Sequence, residues 1–169
     1  MDDVMEPRDY IQPSTYDVLL SDVKHDDLIG PIAQRLDVTY LSDSESTIIS
    51  KTIGILYGTN CRPIVSLSIA STKFKKFVNV IFLIDTGSPC LYICQQAMEA
   101  LGFNDNITET FDITCQGMSF EAVMSPLKQR DGRDGHYSDI NLIGATFLSK
   151  SRAKLSVDYK LNLVELEFN

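Results

Sequence analysis

Apolar and polar positions change their pattern near residue 60 of this 169-residue chain. Residues 62–84 consist of two apolar runs that flank a polar turn at 71–73, and this arrangement predicts a β-hairpin. Residues 111–123 and 153–168 repeat the pattern of two runs around a turn, and predict two more hairpins. The pattern therefore predicts a mostly β domain.

One or two short helices are predicted between these strands. After a short apolar run at 91–93, the apolar residues within 94–101 fall on one helical face that ends at Gly102. Residues 142–148 hold two apolar residues, a glycine and then a second helical pattern. This order predicts a strand that runs through a glycine into a short helix.

Residues 1–52 differ in composition and are predicted to be an acidic N-terminal extension to a domain over residues 53–169. The first 60 residues hold eleven acidic and four basic side chains, whereas the rest of the chain holds twelve and eleven. Apolar residues within 28–36 have helical spacing, but Gly30-Pro31 limits any helix to a couple of turns. Two interpretations stay open: a partly disordered arm, or an arm that docks on a partner or on a sister subunit.

Charge and composition exclude several classes of function. The net charge of −8 comes without a basic stripe, which argues against nucleic acid as a ligand. The start of the chain lacks a signal-peptide pattern, and no apolar run approaches the roughly 20 residues that span a bilayer. With 44% hydrophobic residues, enough for the core of one domain, the sequence predicts an intracellular, cytoplasmic protein with no membrane partner.

The cysteines do not form a recognisable metal site. Cys61, Cys90, Cys94 and Cys115 lie at irregular spacings without a C-x-x-C pair, and the chain has only two histidines. Buried free thiols are the simpler interpretation of this spacing. We therefore expect neither a metal nor a cofactor.

The tripeptide Asp85-Thr86-Gly87 is the strongest candidate for chemistry. It places a carboxylate directly after the apolar run 80–84. An isolated buried carboxylate costs several kcal/mol or takes up a proton, so one held at the end of a buried strand usually has a partner or a function. The alternative interpretation is a turn that merely ends the strand.

Together with Ser88, and with Leu142-Ile143-Gly144 downstream, this tripeptide resembles the active-site elements of retroviral-type aspartic proteases, the retropepsins. The resemblance covers about residues 61–168. It implies a single-lobed retropepsin-like acid protease fold, a closed β-barrel-like sheet with one or two short helices, and it makes Asp85 the catalytic aspartate. Such domains often belong to retroelement polyproteins or to host genes derived from them.

The implied activity is that of an aspartic endopeptidase, with a polypeptide as substrate. Two carboxylates share one proton, so that one activates a water molecule and the other protonates the carbonyl oxygen of the peptide bond. Only one Asp-Thr-Gly or Asp-Ser-Gly triplet occurs in the chain. The second aspartate must therefore come from another copy, which predicts a homodimer.

The resemblance also implies roles for the neighbours of Asp85. Gly87 lets the two loops approach closely, Thr86 sends its hydroxyl to the backbone of the other subunit, and Ser88 hydrogen-bonds the outer oxygen of Asp85.

The C-terminal residues are predicted to contribute to the dimer interface. Val164, Leu166 and Phe168 alternate with largely acidic residues, which gives a strand with one apolar face. In retropepsins the chain ends interleave into a sheet between subunits, and the resemblance implies the same use here. The alternative is a hairpin that only closes its own domain.

The covering of the substrate is predicted to depart from the family pattern. Residues 104–110 are too few for the Gly-rich hairpin, the flap, that covers the substrate in retropepsins. The loop 126–139 is a candidate substitute, so Gly132 and Gly135 are expected to line the substrate cleft together with Leu142 and Ile143. The alternative for this loop is a solvated surface loop.

Two other functions stay open at this stage. The missing flap favours a catalytically weak, protease-like module that dimerises or binds peptides. A cysteine hydrolase that uses Cys90 and His136 is a further alternative, although nothing in the sequence orients His136 towards Cys90.

Overall fold

The computed structural model describes residues 22–104, 110–127, 132, 135 and 137–169. Within these residues the chain forms nine strands: β1 (Lys51–Tyr57), β2 (Arg62–Ser71), β3 (Phe77–Ile84), β4 (Tyr92–Ile93), β5 (Phe111–Cys115), β6 (Met118–Met124), β7 (Asn141–Ile143), β8 (Lys154–Asp158) and β9 (Leu163–Glu167). The helices are α1 (His25–Asp27), a π-helical turn (Leu28–Ile32), α2 (Ala33–Leu36), α3 (Gln95–Ala100) and α4 (Ala145–Lys150).

Six strands close into a barrel. Their order is β3-β7-β4-β6-β5-β2, and the antiparallel pairing of β2 with β3, from Ile64 opposite Leu83 to Ala70 opposite Phe77, closes the ring. The pairs β3–β7 and β4–β6 are parallel. β1, β9 and β8 extend the sheet outward from β2. The predicted fold class, mostly β with a closed barrel and short helices, is confirmed.

The three predicted hairpins are present as β2–β3, β5–β6 and β8–β9. The turn between β5 and β6 is made by Gln116 and Gly117, which have φ of 53° and 71°. Two consecutive positive φ values are what a two-residue hairpin turn requires, and glycine reaches them without strain. β1 is not predicted by the sequence, because the β-like pattern of apolar and polar positions begins only at residue 62.

The described part of the N-terminal extension packs on the barrel. Leu28 and Ile32 are buried in the core, and the helical segment kinks at Gly30, where the sequence predicted an interruption. Residues 41–44 then run along the edge of β3: the N–H of Leu41 donates to the carbonyl oxygen of Asn79 at 2.8 Å, and the N–H of Ser44 donates to that of Phe77 at 2.9 Å. The domain boundary at residue 52 stays a prediction, and residues 1–21 lie outside the described residues.

The C-terminal strand β9 is an inner strand of the sheet. It lies between β1 and β8, so that among the described residues β8 carries the free edge. Val164 and Leu166 are both 0% exposed and belong to the core of their own chain. Their side chains therefore do not form a surface for a second copy, because the apolar face of the strand is turned inward. Phe168 is half-buried, and its N–H donates to the carbonyl oxygen of Ser50 at 2.8 Å.

Two general features of the described residues bear on function. None of their helices has both the length and the apolar character needed to cross a membrane. The same residues contain no cluster of three or more His, Cys, Asp or Glu side chains that could hold a metal ion.

Candidate active site

Asp85 lies at the first position after β3, in a loop that the neighbouring strand β7 holds in place. The backbone N–H of Asp85 donates to the carbonyl oxygen of Ile143 at 3.0 Å, which continues the parallel pairing of β3 with β7. Within the loop, the N–H of Gly87 donates to Oδ1 of Asp85 at 3.0 Å, and the N–H of Ser88 donates to the carbonyl oxygen of Asp85 at 3.1 Å. The loop thus directs one backbone donor at the carboxylate.

Gly144 lies directly beneath this loop. A Cβ at this position would overlap the carbonyl oxygens of Ser88 and Cys90. The first two residues of α4 complete the contact: the N–H of Ala145 donates to the carbonyl oxygen of Ser88 at 2.7 Å, and that of Thr146 donates to the carbonyl oxygen of Pro89 at 3.2 Å. The two sequence motifs, Asp85-Thr86-Gly87 and Leu142-Ile143-Gly144, are therefore brought together, and only glycine leaves room for the loop.

The residues of the Asp85 loop differ in how far they are exposed to solvent. Asp85 and Ser88 are half-buried, whereas Thr86 and Gly87 are exposed. The Ser88 hydroxyl is directed at the carbonyl oxygen of Cys90 at 3.5 Å, not at the outer oxygen of Asp85 as expected. At that distance the contact is weak. Asp85 thus has open surroundings on the side of Thr86 and Gly87.

Leu142 and Ile143 occupy a different place from the one expected. Their side chains are 2% and 0% exposed, so they lie in the core and do not line an open cleft in the single chain. The reason is topological: β7 is an inner strand between β3 and β4. Ile143 contributes to the site through its carbonyl oxygen, which accepts the N–H of Asp85.

The loop before β7 closes at its base. The N–H of Gly135 donates to the carbonyl oxygen of Leu127 at 2.9 Å, and a Cβ at Gly135 would overlap the carbonyl oxygen of Pro126. Gly132 has φ of 83°, which glycine adopts without strain. Residues 128–131, 133–134 and 136 of this loop lie outside the described residues. The expectation that Gly132 and Gly135 line the cleft therefore stays a prediction.

Two other expectations also depend on residues that are not described. His136 is one of them, so the pairing of Cys90 with His136 stays untested; Cys90 itself is half-buried. The flap is the other, because residues 105–109 lie outside the described residues. The chain between the end of α3 at Ala100 and the start of β5 at Phe111 is nevertheless short.

An aromatic pair beside the loop was missed in the sequence. Tyr92 on β4 pairs in register with Leu142, and its ring meets the ring of Tyr137 edge to face at a centroid distance of 5.2 Å. Burial, together with the neighbouring phenol of Tyr137, raises the pKa of Tyr92 well above its ordinary value. The phenol of Tyr92 therefore stays neutral at physiological pH. The signal available in the sequence was Tyr92 itself, an aromatic residue with a polar hydroxyl group within the short apolar run 91–93.

A pocket of about 240 Å³ lies between the end of the loop and α4. Its walls are mostly apolar and include Pro89, Cys90, Leu91, Phe120, Phe147 and Lys150. The ammonium group of Lys150 donates to the carbonyl oxygen of Ser119 at 2.6 Å and lies over the ring of Phe120 at 5.4 Å. The pocket has room for an apolar group and borders the loop after Asp85.

The order of elements around this site decides the fold type. β3 ends in the Asp85 loop, β4 returns on the far side of β7, and β7 continues through Gly144 into α4. The fold is retropepsin-like.

Two solved structures are similar to this retropepsin-like chain. One is a retropepsin-like aspartic protease from Rickettsia conorii, with a TM-score of 0.43 and 17% identity over 74% of this chain and 96% of that chain. The other is the retroviral protease-like domain of Ddi1 from Leishmania major, with a TM-score of 0.33 and 15% identity over 62% of this chain and 90% of that chain. No family model matches the sequence, and no curated protein gives a significant match. Similarity at this level says nothing about catalysis in this chain.

Proposed function

We propose that this chain is an aspartic endopeptidase that acts as a homodimer, with Asp85 of each copy forming a shared dyad. The observation that carries the proposal is the Asp85 loop itself. A carboxylate stands at the end of a buried strand, accepts the N–H of Gly87, and is held from below by the Gly144 element. The bond between Gly87 and Asp85 is also made by ordinary Asx turns, so the Gly144 element beneath the loop is what distinguishes this loop from a turn that merely ends a strand.

The proposed reaction needs no group beyond the two carboxylates and water. Two carboxylates within a few ångströms of each other cannot both ionise cheaply, so the pair holds one proton. The ionised member takes a proton from water as the water oxygen attacks the carbonyl carbon, and the protonated member gives its proton to the carbonyl oxygen. Collapse of this intermediate breaks the C–N bond: the amine leaves with a proton from one carboxyl group, and a hydroxyl of the intermediate gives its proton to the other, so the product carboxyl is formed and the dyad again holds one proton.

The exposed residues of the loop are suited to a contact with a second copy. Thr86 and Gly87 are exposed in the single chain, next to the half-buried carboxylate. We assign Thr86 to the interface, where its hydroxyl bonds the backbone of the other subunit. Gly87 allows the two loops to approach closely, because it has no side chain on the exposed side.

The free edge of β8 is the strand edge that a second copy can pair with. Its sequence, Lys154 to Asp158, is self-complementary: in an antiparallel pairing centred on Ser156, Lys154 of one copy lies opposite Asp158 of the other. Unpaired edges of this kind are templates for another strand. We therefore propose that β8, together with Thr86 and Phe168, forms the interface that the sequence had assigned to Val164 and Leu166.

A second candidate is a protease-like module that binds peptides or dimerises but cleaves weakly. The observation that favours it is the short connection between α3 and β5, which leaves little chain for a flap. A lid excludes water and positions the scissile bond, so its absence is expected to lower the rate.

One experiment separates the two candidates. The purified protein is incubated with a denatured polypeptide mixture at acidic and at neutral pH, and the products are identified by mass spectrometry. Asp85→Asn removes the carboxylate and is expected to abolish cleavage, as is a statine-type inhibitor. Asp112→Asn is the matched control, because Asp112 is an exposed aspartate on β5. A stable dimer that cleaves nothing at either pH would instead support the peptide-binding module.

The dimer has its own test. The molar mass in solution is measured over a dilution series, alongside the cleavage rate. Activity is expected to disappear as the protein dissociates, because each site needs both copies. A protein that cleaves at full specific activity as a single chain would refute the shared dyad.

A further inference from the structure

A buried hydrogen-bond network lies under the active-site loop and centres on Asn141, the first residue of β7. The Asn141 Nδ2 donates to the hydroxyl of Tyr40 at 2.8 Å and to the carbonyl oxygen of Ile81 at 3.0 Å. Its Oδ1 accepts the backbone N–H of Cys94 at 2.9 Å. Asn141 is fully buried, and these bonds tie β7 to β3 and to the start of α3.

Tyr40 brings the N-terminal segment into this network. Its side chain is 7% exposed, and its hydroxyl lies 3.5 Å from Sγ of Cys94. Because the hydroxyl oxygen accepts from Asn141, the hydroxyl hydrogen is free to point at the thiol. Burial raises the pKa of Tyr40 well above its ordinary value, so the phenol keeps this hydrogen.

The backbone groups of Ile81 and Cys94 fix the orientation of the Asn141 amide, and the Tyr40 hydroxyl accepts the remaining Nδ2 hydrogen. Both Nδ2 hydrogens have acceptors, one on Tyr40 and one on Ile81, and Oδ1 faces the N–H of Cys94. The flipped amide would place its oxygen against the carbonyl oxygen of Ile81 and its NH₂ group against the N–H of Cys94. Unsatisfied buried polar groups of this kind are costly, so the network permits a single arrangement.

The short strand β7 connects Asn141 directly to the Asp85 loop. β7 has only three residues, from Asn141 opposite Phe82 to Ile143 opposite Ile84. Two residues further along the strand, the carbonyl oxygen of Ile143 accepts the N–H of Asp85. Gly144 follows directly and lies beneath the loop. A strand this short has few ladder bonds of its own, so side-chain bonds at its first residue contribute much of its register.

We propose that Tyr40 is a positioning residue for the active site, which acts through Asn141 to hold β7 and Gly144 under the Asp85 loop. The N-terminal segment is accordingly part of the active unit. The catalytic consequence of this inference rests on the proposed protease function. The positioning of the loop does not, because it can be measured without any substrate.

Tyr57 provides a matched control. Its hydroxyl donates to Oδ1 of Asp27 at 2.8 Å, so it also ties the N-terminal segment to the barrel through a phenol. It lies on β1 and is not part of the network around β7. Tyr40→Phe and Tyr57→Phe each remove one oxygen atom and keep the ring, so both variants are expected to fold.

The experiment compares both variants with the full wild-type chain in hydrogen exchange, thermal unfolding and steady-state kinetics. In Tyr40→Phe, the amide protons of Asp85 and Ala145 are expected to exchange about fivefold faster, because one buried hydrogen bond that holds β7 is lost. kcat is expected to fall by a similar factor, with KM unchanged. Tyr57→Phe is expected to lower the melting temperature without changing either readout.

The outcomes separate this inference from the proposed function. If the wild type cleaves nothing but Tyr40→Phe still accelerates exchange at Asp85 and Ala145, the positioning role stands and the protease function fails. If the exchange at these two amides is the same in Tyr40→Phe and Tyr57→Phe, the positioning role is overturned, whether or not the protein cleaves peptides.

Discussion

Replacing Gly144 by alanine is the sharpest test of the arrangement around Asp85. The added Cβ would overlap the carbonyl oxygens of Ser88 and Cys90. Both are backbone atoms, and that of Ser88 also accepts the N–H of Ala145 at 2.7 Å, so neither moves without displacing the loop. Gly144 has φ of −98° and ψ of −177°, which alanine adopts freely. The cost is therefore steric and not conformational.

The size of the effect follows from the atoms that collide. Overpacking of a well-packed interior costs about 1–3 kcal/mol. A collision with backbone oxygens stands at the upper end of this range, since a backbone cannot change rotamer, so we expect a loss of about 3 kcal/mol in the free energy of unfolding. Domains of this kind are stable by about 5–15 kcal/mol, so the variant still folds. A loop displaced by about 1 Å is expected to lose about a hundredfold in cleavage rate.

Urea unfolding at a fixed protein concentration measures the loss of stability. Gly54→Ala is the control: its Cβ would overlap the carbonyl oxygen of Ile64 on β2, which pairs with Leu83, and would not meet an atom of the Asp85 loop itself. A similar loss of stability is expected there, with normal hydrogen exchange at Asp85. Wild-type stability in Gly144→Ala would refute the reasoning.

Two further predictions concern the edge strand and the thiols. Lys154→Asp places like charges opposite each other in the proposed β8 pairing and is expected to weaken dimerisation about fivefold, while Lys154→Asp with Asp158→Lys restores it. Sedimentation equilibrium measures both, and equal dissociation constants would remove β8 from the interface. Burial raises the pKa of the Cys115 thiol to about 12, whereas Cys61 is exposed. Iodoacetamide at about pH 8 is therefore expected to label Cys61 but not Cys115 in the native protein, and early labelling of Cys115 by mass spectrometry would contradict its burial.

Elements that depend on neighbouring residues could be predicted from the sequence. The hairpin β5–β6 follows from two short β-like runs joined by residues that accept positive φ. The Gly144 element follows from an apolar pair that ends in glycine and a helical pattern. In the hairpin the contacts lie within a few residues of each other, so the local pattern contains the information. For the Gly144 element the local pattern gives the strand, the glycine and the helix, but not the distant partners β3 and β4.

β1 was missed because its contacts are distant in the chain. Lys51 pairs with Glu167 and Ile55 pairs with Leu163, so the strand depends on the other end of the sequence. The place of Tyr40 in the network with Asn141 was missed for the same reason. A polar residue at the start of a buried strand is a signal that a hydrogen-bond partner exists, but it does not say which residue supplies it.

The C-terminal strand shows a different kind of limit. The alternation of Val164 and Leu166 with acidic residues correctly predicts a strand with one apolar face. Alternation states that one face is covered, but it does not distinguish the core of the same chain from a second copy. The order of strands in the sheet distinguishes these two cases. β8 lies on the outer side of β9, so β8 and not β9 is at the edge among the described strands.

The rigidity of the loop within one chain changes what a second copy has to supply. The N–H of Asp85 is already bonded to Ile143, and the carbonyl oxygens of Ser88 and Pro89 already accept the first N–H groups of α4. In the proposed dimer, association therefore has to align two preformed loops and does not have to order them. Because preorganised surfaces lose less conformational entropy on binding, a small interface suffices. The modest edge of β8 and the exposed tip at Thr86 and Gly87 are consistent with an interface of that size.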